Sequence, residues 1–150
     1  MLYSLRTRTT VATTAAACYE MRVLSGARVQ VREIGIFLAA ATASLYAIGR
    51  PAAIGLTPTA PVTFLAQDYA GPAGGTVSAV AWATGPTVPA NFFRAVGLAG
   101  AIGNGIVWNF GPNEFVIGPI QGAAAAVNSL VVWNLQANSA ATDIYVVVDE

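Results

Sequence analysis

Proton transfer and nucleophilic attack draw on a small set of side chains, and this chain holds few of them. It has no histidine and no lysine. That count removes the usual general base, a Schiff-base or phosphate-clamping amine, and every Ser-His-Asp or Cys-His arrangement. Cys18 is the single cysteine, so no intrachain disulfide and no multi-cysteine metal site can form; a buried, inert thiol is expected there. Zinc sites of the His/Cys type lack their ligands. What remains is a carboxylate pair of the glycosidase kind, drawn from Glu20, Glu33, Asp68, Glu114, Asp143, Asp149 and Glu150. A blander reading fits these acids better. Glu20 and Glu33 are expected to pair with arginines on neighbouring strand positions, and Asp149 with Glu150 to form a solvated tail. Asp68 and Asp143 stand isolated, without the clustered oxygens that calcium needs. No catalytic residue, cofactor-binding residue or metal ligand is assigned, and the chain is read as not an enzyme.

Two further features could imitate chemistry. Gly97 to Gly100 and Gly100 to Gly105 match phosphate-binding loops in glycine content alone. A phosphate loop needs a Gly-Lys-Ser/Thr step or a strand-to-helix setting, and tight β-turns explain these glycines. Trp82, Trp108 and Trp133 could stack on sugars, but each lies in an apolar run, so packing in a core or subunit interface is expected.

The surface that would carry these groups is sparsely charged. Charged residues are 9% of the chain and hydrophobic residues 55%, with a formal net charge of zero; a usual soluble domain has about 25% charged residues. Neutral, apolar surfaces associate, so burial in an oligomer or larger assembly is expected. The arginines show no basic cluster suited to phosphate; Arg6 with Arg8, and Arg28 with Arg32, read as solvent-facing strand positions. No nucleic-acid or small-molecule partner is expected. Two long stretches are uncharged, Tyr69 to Phe93 and Phe115 to Thr142, but glycine, proline or asparagine interrupts both. Neither gives about 20 clean apolar residues, so no membrane span is expected. No leader is expected behind Arg6 and Arg8 either.

The elements that must position these residues are strands. Tyr19, Met21 and Val23 alternate with Glu20 and Arg22, and Val29 and Val31 alternate with Arg28, Gln30 and Arg32. With Ser25-Gly-Ala27 between them, the two segments predict an antiparallel hairpin with one buried face. Further strands are expected at Glu33 to Leu38, Leu45 to Ile48, Val62 to Leu65, Thr76 to Ala83, Phe92 to Leu98, Ile106 to Phe110 and Glu114 to Ile117. The strongest are Ser129 to Leu135 and Asp143 to Val148, joined by a polar link. Ala39 to Ala43 could be helical in isolation, and Gly118 to Gly122 reads as a loop leading into Ala123 to Ala126. Nine to eleven short strands with turn signals about every ten residues predict an all-β fold. The expectation is one antiparallel β-sandwich or jelly-roll-like domain over residues 1–150, with long Gly/Pro loops. Residues 1–14 would be an extended strand or an arm.

The order of these phrases resembles small structural proteins that tailed bacteriophages encode near the capsid gene, the head decoration or cement proteins. The resemblance runs through Arg8-Thr-Thr-Val-Ala-Thr-Thr14, Val31-Arg-Glu-Ile-Gly-Ile-Phe37, Ile48-Gly-Arg-Pro51, Ala81-Trp-Ala-Thr-Gly-Pro86, Leu130-Val-Val-Trp-Asn-Leu135 and Ile144-Tyr-Val-Val-Val-Asp149. These are strand-and-turn phrases rather than a catalytic signature. The resemblance implies a structural virion protein, a β-sandwich or jelly-roll subunit, commonly a homotrimer. It would be made in the host cytoplasm and seated on the capsid exterior. Its partners would be the major capsid protein and copies of itself, and its role to clamp capsomers against internal DNA pressure. The family has no active site to carry over. Two other readings stand beside it: a phage tail, fibre or head-spike module that binds a host receptor, and a carbohydrate-binding module built on the tryptophans.

Overall fold

A computed structural model describes residues 1–9, 16–23, 28–118, 128–136 and 141–150. Among the described residues there are fourteen strands and no helix. They are β1 (Leu2–Arg8), β2 (Ala16–Val23), β3 (Val29–Leu38), β4 (Ser44–Gly49), β5 (Leu56–Pro58), β6 (Pro61–Val62), β7 (Leu65–Ala66), β8 (Thr76–Ala79), β9 (Trp82–Thr84), β10 (Arg94–Leu98), β11 (Gly105–Asn109), β12 (Val116–Ile117), β13 (Ser129–Asn134) and β14 (Thr142–Asp149). One sheet, here sheet A, runs β11-β3-β14-β1-β7, with β12 also on β3. The other, sheet B, runs β10-β4-β13-β2-β8-β6, and β5 with β9 forms a separate small ribbon. The pairings are antiparallel, and the sheets pack into the β-sandwich that the alternation predicts.

The two strongest strand sequences take inner positions. In β14, Thr142, Ile144, Val146 and Val148 are buried and the intervening residues half-buried. This period of two puts one face in the core. From sheet B, Leu130 and Val132 of β13 enter the same core cluster, with Tyr19 and Met21 of β2 and Tyr46 and Ile48 of β4. β1 pairs with β14 along its whole length, from Leu2 opposite Asp149 to Arg8 opposite Asp143. So the segment expected as a strand or arm is an inner strand over Leu2–Arg8; residues 10–15 lie outside the described residues.

The expected hairpin of residues 17–32 does not form. β2 lies in sheet B against β13 and β8, and β3 lies in sheet A against β14 and β11. Both segments bury one face, as their alternation requires, but they do so from opposite sheets of the sandwich. Their connection, including Ser25 to Ala27, lies outside the described residues, as do Pro119 to Val127 and most of the polar link before Thr142. Three smaller differences follow the same logic. Val62 to Leu65 is not one strand, because Pro61–Val62 pairs in sheet B and Leu65–Ala66 in sheet A. Thr76 to Ala83 divides into β8 in sheet B and β9 in the ribbon. Ala39 to Ala43 is a bend between β3 and β4, too short to nucleate a helix.

Close approach explains one glycine. A β-carbon on Gly105 would run into the Ile36 carbonyl oxygen and the Phe37 ring, so β11 reaches β3 only with glycine there.

Candidate interaction surface

The outer faces of the two sheets differ. On sheet B, Val131 and Trp133 of β13 and Ala47 of β4 point away from the main core, yet all three are fully buried. A second layer covers them. Ala52 and Thr87 exchange backbone hydrogen bonds with each other's segments, Ala53 bridges to Thr87, and β5 pairs with β9. These strips fold back over sheet B. Pro89 and Phe92 stand against Gly49 of β4, and the Trp82 indole lies on Gly55, where any β-carbon would strike the ring.

Polar contacts pin this cover to the sheet. Arg22 Nε donates to Glu20 Oε1 at 3.0 Å and Nη2 to Oε2 at 2.9 Å, a two-point pair on one strand. The Ser129 hydroxyl donates to Oε1 at 2.8 Å, and the Gly55 N–H to Oε2 at 3.3 Å. Arg22 Nη2 also donates to the Gly55 carbonyl. Glu20 is 1% exposed. A carboxylate this deep is tolerable only with its lone pairs occupied by charge-assisted donors. Glu20 therefore has the arginine partner expected of it, but at the foot of the cover rather than on a solvent face.

The outer face of sheet A carries charge. Arg8 grips Asp143 through Nε at 2.9 Å and Nη2 at 2.8 Å, and Arg6 adds a contact at 3.3 Å. Asp143 is therefore not isolated. A bulge in β3 leaves Arg32 as the extra residue against β14, and its Nη2 reaches Asp149 at 2.8 Å. Asp149 also receives the N-terminal amine at 2.9 Å, while Glu150 accepts from the Gly75 N–H and the Thr76 hydroxyl. These two acids are anchors rather than a solvated tail, because β14 runs to its end beside β1. Glu33 accepts the Tyr145 hydroxyl in place of an arginine. Burial first, and then that carboxylate, push the Tyr145 phenol up to about 12.

Hydrogen bonding to Arg8 holds Asp143 below the ordinary value of 3.8, and hydrogen bonding to Arg32 does the same for Asp149. A depressed carboxylate stabilises the fold above its unfolded value and loses that contribution as pH falls through the folded one. With no histidine to charge, the melting temperature should fall as pH drops below 3.8, and Asp143→Asn should flatten the fall. Melts followed by circular dichroism across that range test this; identical acid profiles for wild type and Asp143→Asn would contradict it.

The cover side is different in kind. From Pro51 to Asn113 the only charged residues are Asp68 and Arg94. Asp68 accepts the Ala70 N–H and so closes its own turn, while the Arg94 guanidinium sits 4.6 Å from the Phe110 ring centre. The cover strips themselves, residues 51–60 and 80–92, have no charge at all. Leu56, Val77 and Val88 are exposed on this side, and Tyr69, Phe93 and Ile102 on flanking loops; Leu65 and Val107 lie at the two margins of sheet A. Met1 and Leu2, beside sheet A, are exposed as well, so the two sides differ in charge more than in exposed apolar side chains.

The remaining candidates fall into place around these faces. Trp108 and Trp133 are buried, and Trp82 is half-buried against Gly55. Gly97 lies in β10 and Gly100 to Gly103 in the turn before β11. Among the described residues no three acidic or cysteine side chains gather in a way that could hold a metal ion, and no helix is long and apolar enough to cross a membrane. Cys18 is buried, and burial pushes its thiol up to about 12 against a weaker opposing pull from the Asn134 backbone. Native protein should therefore resist a thiol-specific disulfide reagent at pH 8 and react fully in denaturant. Reaction of the native protein at the rate of a free thiol would contradict this burial. Comparison with protein-family models, with curated proteins and with solved structures found no match to this chain.

Proposed function

We propose that this chain is a structural subunit that beds its uncharged cover side in an assembly and turns the charged outer face of sheet A to solvent. Following the resemblance of its strand-and-turn phrases, the assembly proposed is a phage head. There the chain binds the outer capsid surface as a homotrimeric cement protein, with the major capsid protein and its own copies as partners and no catalytic role. The observation that carries this reading is the division of charge between the two broad sides. Sheet A bears Arg6, Arg8, Arg32, Glu33, Asp143 and Asp149, most of them in ion pairs, whereas the cover strips bear none. A monomer would show Leu56, Val77 and Val88 to water, and the ion pair beside them, Arg22 with the buried Glu20, is balanced, so little net charge there keeps copies apart. Of the three tryptophans, Trp108 and Trp133 are buried and Trp82 is half-buried against Gly55, which weighs against a sugar-stacking site built on them.

Particles stripped of the protein and then reconstituted test the proposal. Stripped heads should release DNA at a lower temperature than native heads, and adding the purified chain should restore the native value. Equal stability with and without the chain would contradict a cement role. A few copies confined to the tail, seen by imaging, would favour the tail or fibre reading.

A further inference from the structure

A cleft of about 270 Å³ opens on the outer side of sheet B where the cover ends. Pro58, Pro61, Val77 and Ala79 give it apolar walls, and the Glu20–Arg22 pair also lines it. Small-molecule sites usually occupy about 300–1,000 Å³, so this cleft suits one large side chain better than a free ligand. Thr57, beside Pro58, has φ of 50°. A β-branched residue there is an outlier, and such strain gathers at ligand clamps. Arg22 spends Nε and Nη2 on Glu20 and Gly55, which leaves Nη1 for an acceptor in the cleft. Because Glu20 already balances Arg22, the fitting occupant is neutral: apolar over most of its length, with an oxygen at its tip.

One side chain of this molecule has that chemistry and nothing to do in the monomer. Tyr69 is 106% exposed, so it does not fill the cleft of its own chain. Its loop is held at both ends. The Gln67 N–H donates to the Leu2 carbonyl at 2.9 Å, and Asp68 takes the Ala70 N–H at 3.0 Å. Tyr3 donates to the Pro72 carbonyl at 3.2 Å, and Glu150 holds Gly75 and Thr76. An aromatic ring displayed on a tethered loop loses little freedom on docking, and tyrosine is a favoured interface anchor.

We propose that Tyr69 of one copy enters the Pro58–Pro61–Val77 cleft of a second copy, its hydroxyl accepting from Arg22. This inference rests on the reading of the chain as a self-assembling subunit and names the contact that joins the copies. Knob and cleft are different patches, so the contact is head-to-tail, and it closes into a ring when the rotation between copies allows.

Sedimentation velocity over a range of concentrations tests the contact, using wild type, Tyr69→Ala, Tyr69→Phe and Val77→Arg. Tyr69→Ala and Val77→Arg should each weaken association by about tenfold or more, and Tyr69→Phe by less. Near-UV circular dichroism should stay native, since both positions are exposed. Mixing Tyr69→Ala with Val77→Arg should restore pairwise complexes, because one supplies an intact cleft and the other an intact tyrosine. Wild-type association by Tyr69→Ala, or no recovery in the mixture, would overturn the tyrosine contact and leave the assembly reading standing. A wild-type chain that stays monomeric at every concentration would overturn both.

Discussion

Replacing Glu20 with alanine should lower folding stability by about 3 kcal/mol or more, the cost of breaking a buried ion pair by removing one partner. Three donors lose the carboxylate together: the Arg22 guanidinium keeps only the Gly55 carbonyl, the Ser129 hydroxyl keeps only the Met21 carbonyl, and the Gly55 N–H loses the bond that pins the cover. Arg22 has little solvent to turn to, with its side chain 20% exposed. The carboxylate also links β2, β13 and the first strip of the cover, so its loss should loosen the cover as well as weaken the sheet. Protease cleavage between Ala52 and Ala60 should speed up, and the fluorescence of Trp82 should shift towards that of an exposed indole. Glu20→Gln keeps the volume and one acceptor oxygen, and should cost clearly less. Urea unfolding measures the difference; a loss below about 1 kcal/mol, the range of exposed pairs, would mean the pair is far wetter than its burial implies.

Trp133→Ala should cost about 3–5 kcal/mol, the usual range for emptying a large buried aromatic site. Trp133 is fully buried on the outer face of sheet B, between Ala17 of β2 and Ala47 of β4 in register. Two alanine neighbours cannot spread to fill the space, so the cavity term should be close to full. Among the described residues its buried indole N–H has no hydrogen-bond partner, so the expected effect is one of packing. Trp133→Phe should recover much of it. A cost near 1 kcal/mol for the alanine variant would show that the cover does not pack on this face.

Much of the architecture was legible in the sequence because a period of two is a direct imprint of a sheet with one buried face. It locates β3, β13 and β14 closely, and the apolar run around Cys18 matches its burial. Pairing was not legible. Alternation says that Tyr19, Met21, Val29 and Val31 are buried, but not whether β2 and β3 lie side by side or on opposite sheets. The Gly26 turn signal favours a hairpin, yet β2 and β3 lie in different sheets. Alternation puts Glu20 and Arg22 opposite the buried face, and nothing local announces a layer folding back over them. The sequence does carry one sign of the cover: Leu130-Val-Val-Trp133 is apolar on both faces, the mark of a strand covered on both sides. The ends depend on topology that local sequence does not carry. Asp143, Asp149 and Glu150 acquire partners only because β1 lies beside β14, a contact across the length of the chain.

The two-sided distribution of charge is what joins the fold to the proposed role, and footprinting by hydroxyl radicals reads it most directly. The assembled and dissociated protein would be labelled in parallel and the modified residues counted by mass spectrometry. Leu56, Pro58 and Val88 on the cover side should lose most of their labelling on assembly, while Tyr145 and Val147 on the outer face of sheet A should label equally in both states. Protection of Tyr145 and Val147, with Leu56, Pro58 and Val88 left open, would contradict the account.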